Sequence, residues 1–127
     1  MFAELKVGLS YETEKIVEPQ DSATHYGSGM VEVFATPAMI AFMEKTALEC
    51  VNHLLPVGYT TVGTELHIQH IKATPIGNKV KCKALVTGID RKKIVFEVIA
   101  EDESGKIGFG THTRFIINQV EFMGKLQ

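Results

Sequence analysis

The sequence predicts an α+β fold in which a curved antiparallel sheet wraps around one long central helix. Three features carry that expectation: a nearly all-apolar helical stretch at about residues 37–55, a long region after Gly58 whose apolar residues alternate with period two, and short turn-like connections between its strands. A helix that is apolar on most sides must be covered on most sides, and a curved sheet covers it with few elements. The 127 residues fit one domain, 1–127, with no Ser/Gly/Pro-rich linker to divide it and no internal repeat.

The first strand is expected within residues 9–17, followed at 19–29 by a surface loop or single helical turn, since Asp, Ser, Thr and Gly favour local side-chain hydrogen bonding. Thr36-Pro37 then reads as a helix start, with the threonine as N-cap and proline at a position whose N–H has no helical partner. The helix runs to about Leu55, where Pro56 and Gly58 stop it. Residues 61–74, 79–87, 94–100 and 107–117 follow as strands. Val80, Cys82, Ala84 and Val86 alternate with Lys79, Lys81, Lys83 and Thr87, as one buried and one wet face require. The turns between them are Pro75 to Asn78, Gly88 to Arg91 and Asp102 to Gly105, so an antiparallel meander is expected. This is the hot-dog fold, whose sheet edges and outer face make self-association a reasonable expectation.

Composition narrows the function. Hydrophobic residues at 45% and charged residues at 22% exclude disordered and collagen-like chains. With 13 basic against 15 acidic residues, the net charge of −2 gives no general attraction to nucleic acid or an anionic membrane. Charges at Glu4, Lys6, Glu12, Glu14 and Lys15 interrupt any secretory apolar core, and the longest apolar run, residues 38–43, is far below the ~20 residues a membrane span needs. Cys50 and Cys82 form no CxxC or Cys/His spacing, so both are read as buried thiols in a reducing, cytoplasmic setting. GxSxG, the P-loop, GxGxxG, HExxH and the EF-hand loop are absent, which leaves serine hydrolase, nucleotide-binding and metalloprotease readings unsupported.

Glu44 is the most informative residue, because it lies on the stripe of Ile40, Ala47 and Val51 and is flanked by Phe42 and Met43. A carboxylate there implies a polar partner, a raised pKa or a water-filled cleft, unless it marks the edge of the apolar face and points to solvent. Thr36 lies eight residues earlier, about 12 Å along a helix, so the two side chains of one chain would flank a substrate rather than touch. The helix start that Thr36 opens offers free N–H groups and a positive dipole end, which suit a carbonyl oxygen or an oxyanion.

His70 shares a strand face with Leu66 and Ile68 and points inward, whereas His67 points out. Carboxylate and imidazole together can perform general acid–base work near neutral pH, although a lone inward histidine is more often a hydrogen-bonded core residue. His25 and His53 carry no assigned role. His112 and Arg114 share the face opposite Ile107 and Phe109, after Gly108 and Gly110, whose small size lets a backbone or ligand approach. Arg114 reads first as a surface ion pair and second as a clamp for a phosphate or carboxylate. Lys79, Lys81, Lys83, Arg91, Lys92 and Lys93 form a solvated face and turn that also suits phosphates.

Several ordered segments resemble the hot-dog-fold acyl-CoA thioesterases, specifically the branch that includes fluoroacetyl-CoA thioesterase. They are Val33-Phe34-Ala35-Thr36 with Met43-Glu44, then Val62-Gly63-Thr64, His70, Ala73-Thr74-Pro75 with Gly77, and Ile107-Gly108-Phe109-Gly110-Thr111-His112 with Arg114, together spanning about residues 31–118. The resemblance implies a catalytic set of Thr36, Glu44 and His70. It places Gly63 at the reacting carbonyl and Arg114, Phe34 and Met30 on the substrate-binding side. It also implies a homodimer with active sites at the subunit interface, and acyl-CoA as substrate with neither metal nor organic cofactor; a tetramer stays open, since it depends on how the sheet's outer face packs. The two lid phenylalanines of the member selective for the fluorinated substrate correspond here to Gly27 and Met30, a departure that suggests a different or larger acyl group. The expected activity is hydrolysis of a small acyl-CoA thioester; a non-catalytic acyl-CoA-binding protein of the same fold is the second reading.

Overall fold

In the computed structural model, which describes residues 2–127, a five-stranded antiparallel sheet packs around helix α2 (Thr36–Asn52). The strands are β1 (Ser10–Ile16), β2 (Tyr59–His70), β3 (Lys79–Asp90), β4 (Lys93–Asp102) and β5 (Gly105–Asn118). Their order is β1-β3-β4-β5-β2. Only β3, β4 and β5 form the expected meander: β2 pairs with β5 at one edge, and β1 pairs with β3 at the other. The segment after His70 therefore passes the ends of β5 and β4, where Ile71 N–H donates to the Ile107 carbonyl and Thr74 Oγ1 to Asp102, instead of making a hairpin.

Period-two patterning holds along β3 and β4, where the sheet covers the helix. Val80, Cys82, Ala84 and Val86 of β3 and Ile94, Phe96, Val98 and Ala100 of β4 are buried, and so are Met39, Met43, Ala47, Cys50 and Val51 of α2. Burial of this apolar face, at roughly 25 cal/mol per Å², is what stabilises both layers. Strands β3 and β4 are longer than the sequence suggested, so the turn between them is confined to Arg91-Lys92, with Arg91 in a left-handed conformation (φ 58°).

The helix starts one residue before Pro37 and ends at Asn52, not Leu55, because Leu54 and Leu55 donate to Val51 and Asn52 in tight turns leading into Pro56. Its N-cap is Ala35, not Thr36: the threonine is the first helical residue, and its hydroxyl is used elsewhere. The entry to α2 is held from two sides, since Phe34 N–H donates to the Thr74 carbonyl and Ala35 N–H to that of Asp21. Asp21 closes a 3-10 turn (Pro19–Asp21), and Ser22 caps the single turn of α1 (Ala23–Tyr26) by accepting from His25 N–H. A last short helix, α3 (Gln119–Gly124), is capped by Asn118, which accepts from Glu121 N–H.

Two bulges set the faces near the site. Thr64 is the extra residue of β2, so Thr61 and Gly63 before it and Leu66, Ile68 and His70 after it all share the helix-facing side. Ile107 is the extra residue of β5, which lets Ile107 and then Gly108, Gly110, His112 and Arg114 face inward in succession.

Candidate active site

Two groups of polar side chains lie along α2. At its start, Thr36 Oγ1 is 2.7 Å from His70 Nδ1, joining the first helical turn to the last residue of β2. The imidazole is half-buried, and its Nε2 is buried with no hydrogen-bond partner among the described residues. Burial pushes the His70 pKa down, against an upward pull from the Lys72 backbone, which favours the neutral ring. Thr36 and His70 border a cavity of about 300 Å³, together with Phe34, Ala35, Lys72 and Ala73.

The second group lies two helical turns on. Glu44 is half-buried at the border of the apolar face, which meets both sequence alternatives halfway: neither sunk in the core nor free in solvent. Its carboxylate faces Gly63, where an added Cβ would lie 3.0 Å from Glu44 Oε2, 3.0 Å from His112 Cε1 and 3.4 Å from Arg114 Nη1. A side chain at this position would press on the three polar side chains that converge there.

Arg114 is not a surface ion pair. It is 6% exposed, and its Nε donates to Thr61 Oγ1 at 2.7 Å, its Nη2 to the Thr61 carbonyl at 2.9 Å, and its Nη1 lies 3.1 Å from His112 Nε2. The Ile107 bulge and the pairing of Gly63 with Arg114 bring it inside. Burial lowers the guanidinium's pKa, and the Glu44 charge opposes this. Glu44 and Arg114 are near enough for that influence without forming an ion pair within hydrogen-bonding reach.

Of the residues expected at the site, the fold thus pairs Thr36 with His70 and groups Glu44 with Gly63 and Arg114. Within one chain no hydrogen bond or ion pair among the described residues joins Glu44 to Thr36 or His70. Phe34 is a core residue, its ring edge-on to Phe42 at 6.5 Å, that also borders the Thr36–His70 cavity. Met30 is 96% exposed and touches neither group within the chain, and Gly27 is the left-handed cap of α1. Two members had no role assigned from the sequence, His112 and Thr61. Period two placed His112 beside Arg114, but Thr61 comes to Arg114 only through the β2–β5 pairing. No set of three His, Cys, Asp or Glu side chains suited to a metal ion occurs among the described residues.

A sequence profile of the fluoroacetyl-CoA-specific thioesterases matches residues 17–120. The fluoroacetyl-CoA thioesterase of Streptantibioticus cattleyicolor is 28% identical, over 97% of this chain and 93% of its own length. A solved variant of a fluoroacetyl-CoA thioesterase in complex with acetyl-CoA superposes with a TM-score of 0.92 at 28% identity, covering 96% of both chains. A hot-dog-like protein from Thermanaerovibrio acidaminovorans shares the fold, with a TM-score of 0.88 at 22% identity over 96% of this chain and 90% of its own. With the profile spanning most of the sheet, the helix and both side-chain groups, this chain belongs to the fluoroacetyl-CoA-specific thioesterase family, thioester hydrolases of the hot-dog fold.

Proposed function

We propose that the chain hydrolyses small acyl-CoA thioesters as a homodimer, each active site combining Thr36 and His70 of one subunit with Glu44, Gly63 and Arg114 of the other. The observation that carries this reading is the separation of two well-formed half-sites on one helix, each incomplete alone. An edge strand, β2, bears Gly63 and His70 and has unpaired backbone groups on its outer side, so a second copy can both cover that edge and supply the missing half. The acyl-CoA ligand is supported by the acetyl-CoA complex of the relative.

In the reaction, the Glu44 carboxylate acts on the thioester carbonyl directly or through water. By the water route it takes a proton as the new C–O bond forms. The tetrahedral oxyanion then collapses, the C–S bond breaks, and the coenzyme A thiolate leaves with a proton from the acid–base pair. By the direct route a Glu44 oxygen attacks the carbonyl, the thiolate leaves, and water hydrolyses the resulting anhydride. His70, neutral and tied to Thr36, moves the proton, while Arg114 keeps positive charge beside Glu44. Turnover in oxygen-18 water tests the direct route: label in the Glu44 carboxylate marks an anhydride that water opens at the Glu44 carbonyl carbon, whereas the water route leaves the carboxylate unlabelled. Gly27 and Met30, in place of aromatic lid residues, favour an acyl group other than fluoroacetyl. The unpaired, buried Cys50 and Cys82 suit a reducing cytoplasm.

Mixing two inactive variants tests the shared site. Glu44→Ala and His70→Ala homodimers lack one half of every site, but a mixed dimer sharing sites across the interface has one intact site, so random exchange restores about a quarter of wild-type activity. No recovery in a mixture shown to contain mixed dimers overturns the shared site.

A further inference from the structure

We propose that His112 is a positioning residue: a neutral imidazole, fixed as its Nδ1–H tautomer, that holds the Arg114 guanidinium against Gly63 and Glu44. The assignment follows from what each partner can do. A guanidinium only donates, so His112 Nε2, 3.1 Å from Arg114 Nη1, must accept. A backbone carbonyl only accepts, so His112 Nδ1, 2.9 Å from the Glu65 carbonyl, must donate. One proton on Nδ1 and a lone pair on Nε2 satisfy both contacts, and imidazolium does not, because it sets an N–H against an N–H between two cations.

The ring cannot turn to escape this arrangement. It is 1% exposed and stacked on Phe96 at 6.3 Å between centroids and 28° between planes. Burial favours the neutral form and prevails over the upward pull of the Glu65 carbonyl and of Glu44, with the positive charge of Arg114 acting in the same sense as burial. The charged groups facing the ring are Arg114 from β5 and Glu44 from α2; β4 presents Phe96, and β2 presents the Glu65 carbonyl while the Glu65 carboxylate engages His67. With Nε and Nη2 fixed on Thr61 and one Nη1 hydrogen on His112, the other Nη1 hydrogen is left on the side of Gly63 and Glu44. His112 thereby decides where the positive charge of the site points. The catalytic meaning of that charge rests on the function proposed above, whereas the tautomer and the hold on Arg114 do not.

Two substitutions separate the two ring nitrogens. In His112→Gln the side-chain oxygen falls near the former Nε2 and keeps an acceptor for Arg114; in His112→Asn the amide nitrogen falls near the former Nδ1 and keeps the Glu65 bond alone. At matched thermal stability, kcat for acyl-CoA hydrolysis should fall less than about fivefold in His112→Gln and about ten- to a hundredfold in His112→Asn, as expected when a hydrogen bond to a charged group is lost. Equal losses, or a larger loss in His112→Gln, overturn the proposal. Nitrogen-15 NMR of the imidazole in the wild-type protein at neutral pH is expected to show Nε2 unprotonated; an Nε2–H tautomer or an imidazolium overturns it without reference to activity or to either variant. If the wild type turns over no thioester, the proposed function fails while the NMR result still decides the tautomer.

Discussion

Replacing Gly63 with alanine adds a single methyl group at the centre of the Glu44, His112 and Arg114 group. The new carbon would lie 3.0 Å from Glu44 Oε2 and from His112 Cε1, several tenths of an ångström inside ordinary contact, and 3.4 Å from Arg114 Nη1. His112 cannot yield, being bonded at both ring nitrogens and stacked on Phe96. The carboxylate, at the free end of a flexible side chain with no hydrogen bond among the described residues, must move. Overpacking a rigid site costs about 1–3 kcal/mol, and here one wall is mobile, so the low end applies. Loss of glycine's freedom in the unfolded chain returns about 0.4–1 kcal/mol. The net change in stability is therefore within about 1 kcal/mol, a shift in Tm of no more than about 5 °C. Displacing a reacting group by a fraction of an ångström to one ångström costs far more in rate, up to about a hundredfold, or about 2.7 kcal/mol. Coenzyme A release from a small acyl-CoA, measured beside a thermal melt, reads both quantities. A Gly63→Ala protein with kcat/KM within about threefold of wild type, or one whose loss of rate matches its loss of fold, would refute the placement of Glu44 against Gly63.

Further outcomes follow from the protonation states. Because burial lowers the His70 pKa, the acid limb of kcat/KM should fall below the ordinary histidine value of 6.5; a limb above it contradicts a neutral, buried base. His70 and His112 both bind protons more readily unfolded than folded, so stability is full above the unfolded value and falls as pH drops from about 6.5 toward their folded pKa values. The urea midpoint should be lower at pH 5 than at pH 7, and an unchanged midpoint contradicts the two shifts. Both cysteines are buried, and burial raises both pKa values, that of Cys82 to about 11. An aromatic disulfide reagent should thus titrate neither thiol in the native protein and both in denaturant, leaving released coenzyme A as the reacting thiol in the assay; a fast native equivalent contradicts this.

The helix and strands were legible because each depends on local periodicity: Val80 to Val86 and Ile94 to Ala100 bury every second residue as their pattern demands. The site was legible only in part, because its geometry depends on non-local pairing. Nothing near Thr36 in sequence announces that its hydroxyl is taken by a histidine on a distant strand, so local capping logic chose the wrong partner. Arg114 looked exposed because a strict alternation from Ile107 puts the two on opposite faces; one extra residue at the Ile107 bulge lets both be buried. The return of β2 to β5 pairs Gly63 with Arg114, a contact invisible to turn signals between neighbouring strands. Helix α3 did carry a local sign, Asn118 three residues before Glu121, in a segment otherwise without apolar periodicity.

The most direct test of thioester hydrolysis at Glu44 is coenzyme A release from a panel of acyl-CoA esters, short to long and aryl, by the wild type and Glu44→Ala in parallel. Turnover of small acyl-CoA esters by the wild type, reduced at least about a hundredfold in Glu44→Ala with the fold retained, is the expected result. Wild-type protein that binds acyl-CoA but releases no thiol from any ester would contradict it and mark the chain as a binding protein built on a thioesterase fold.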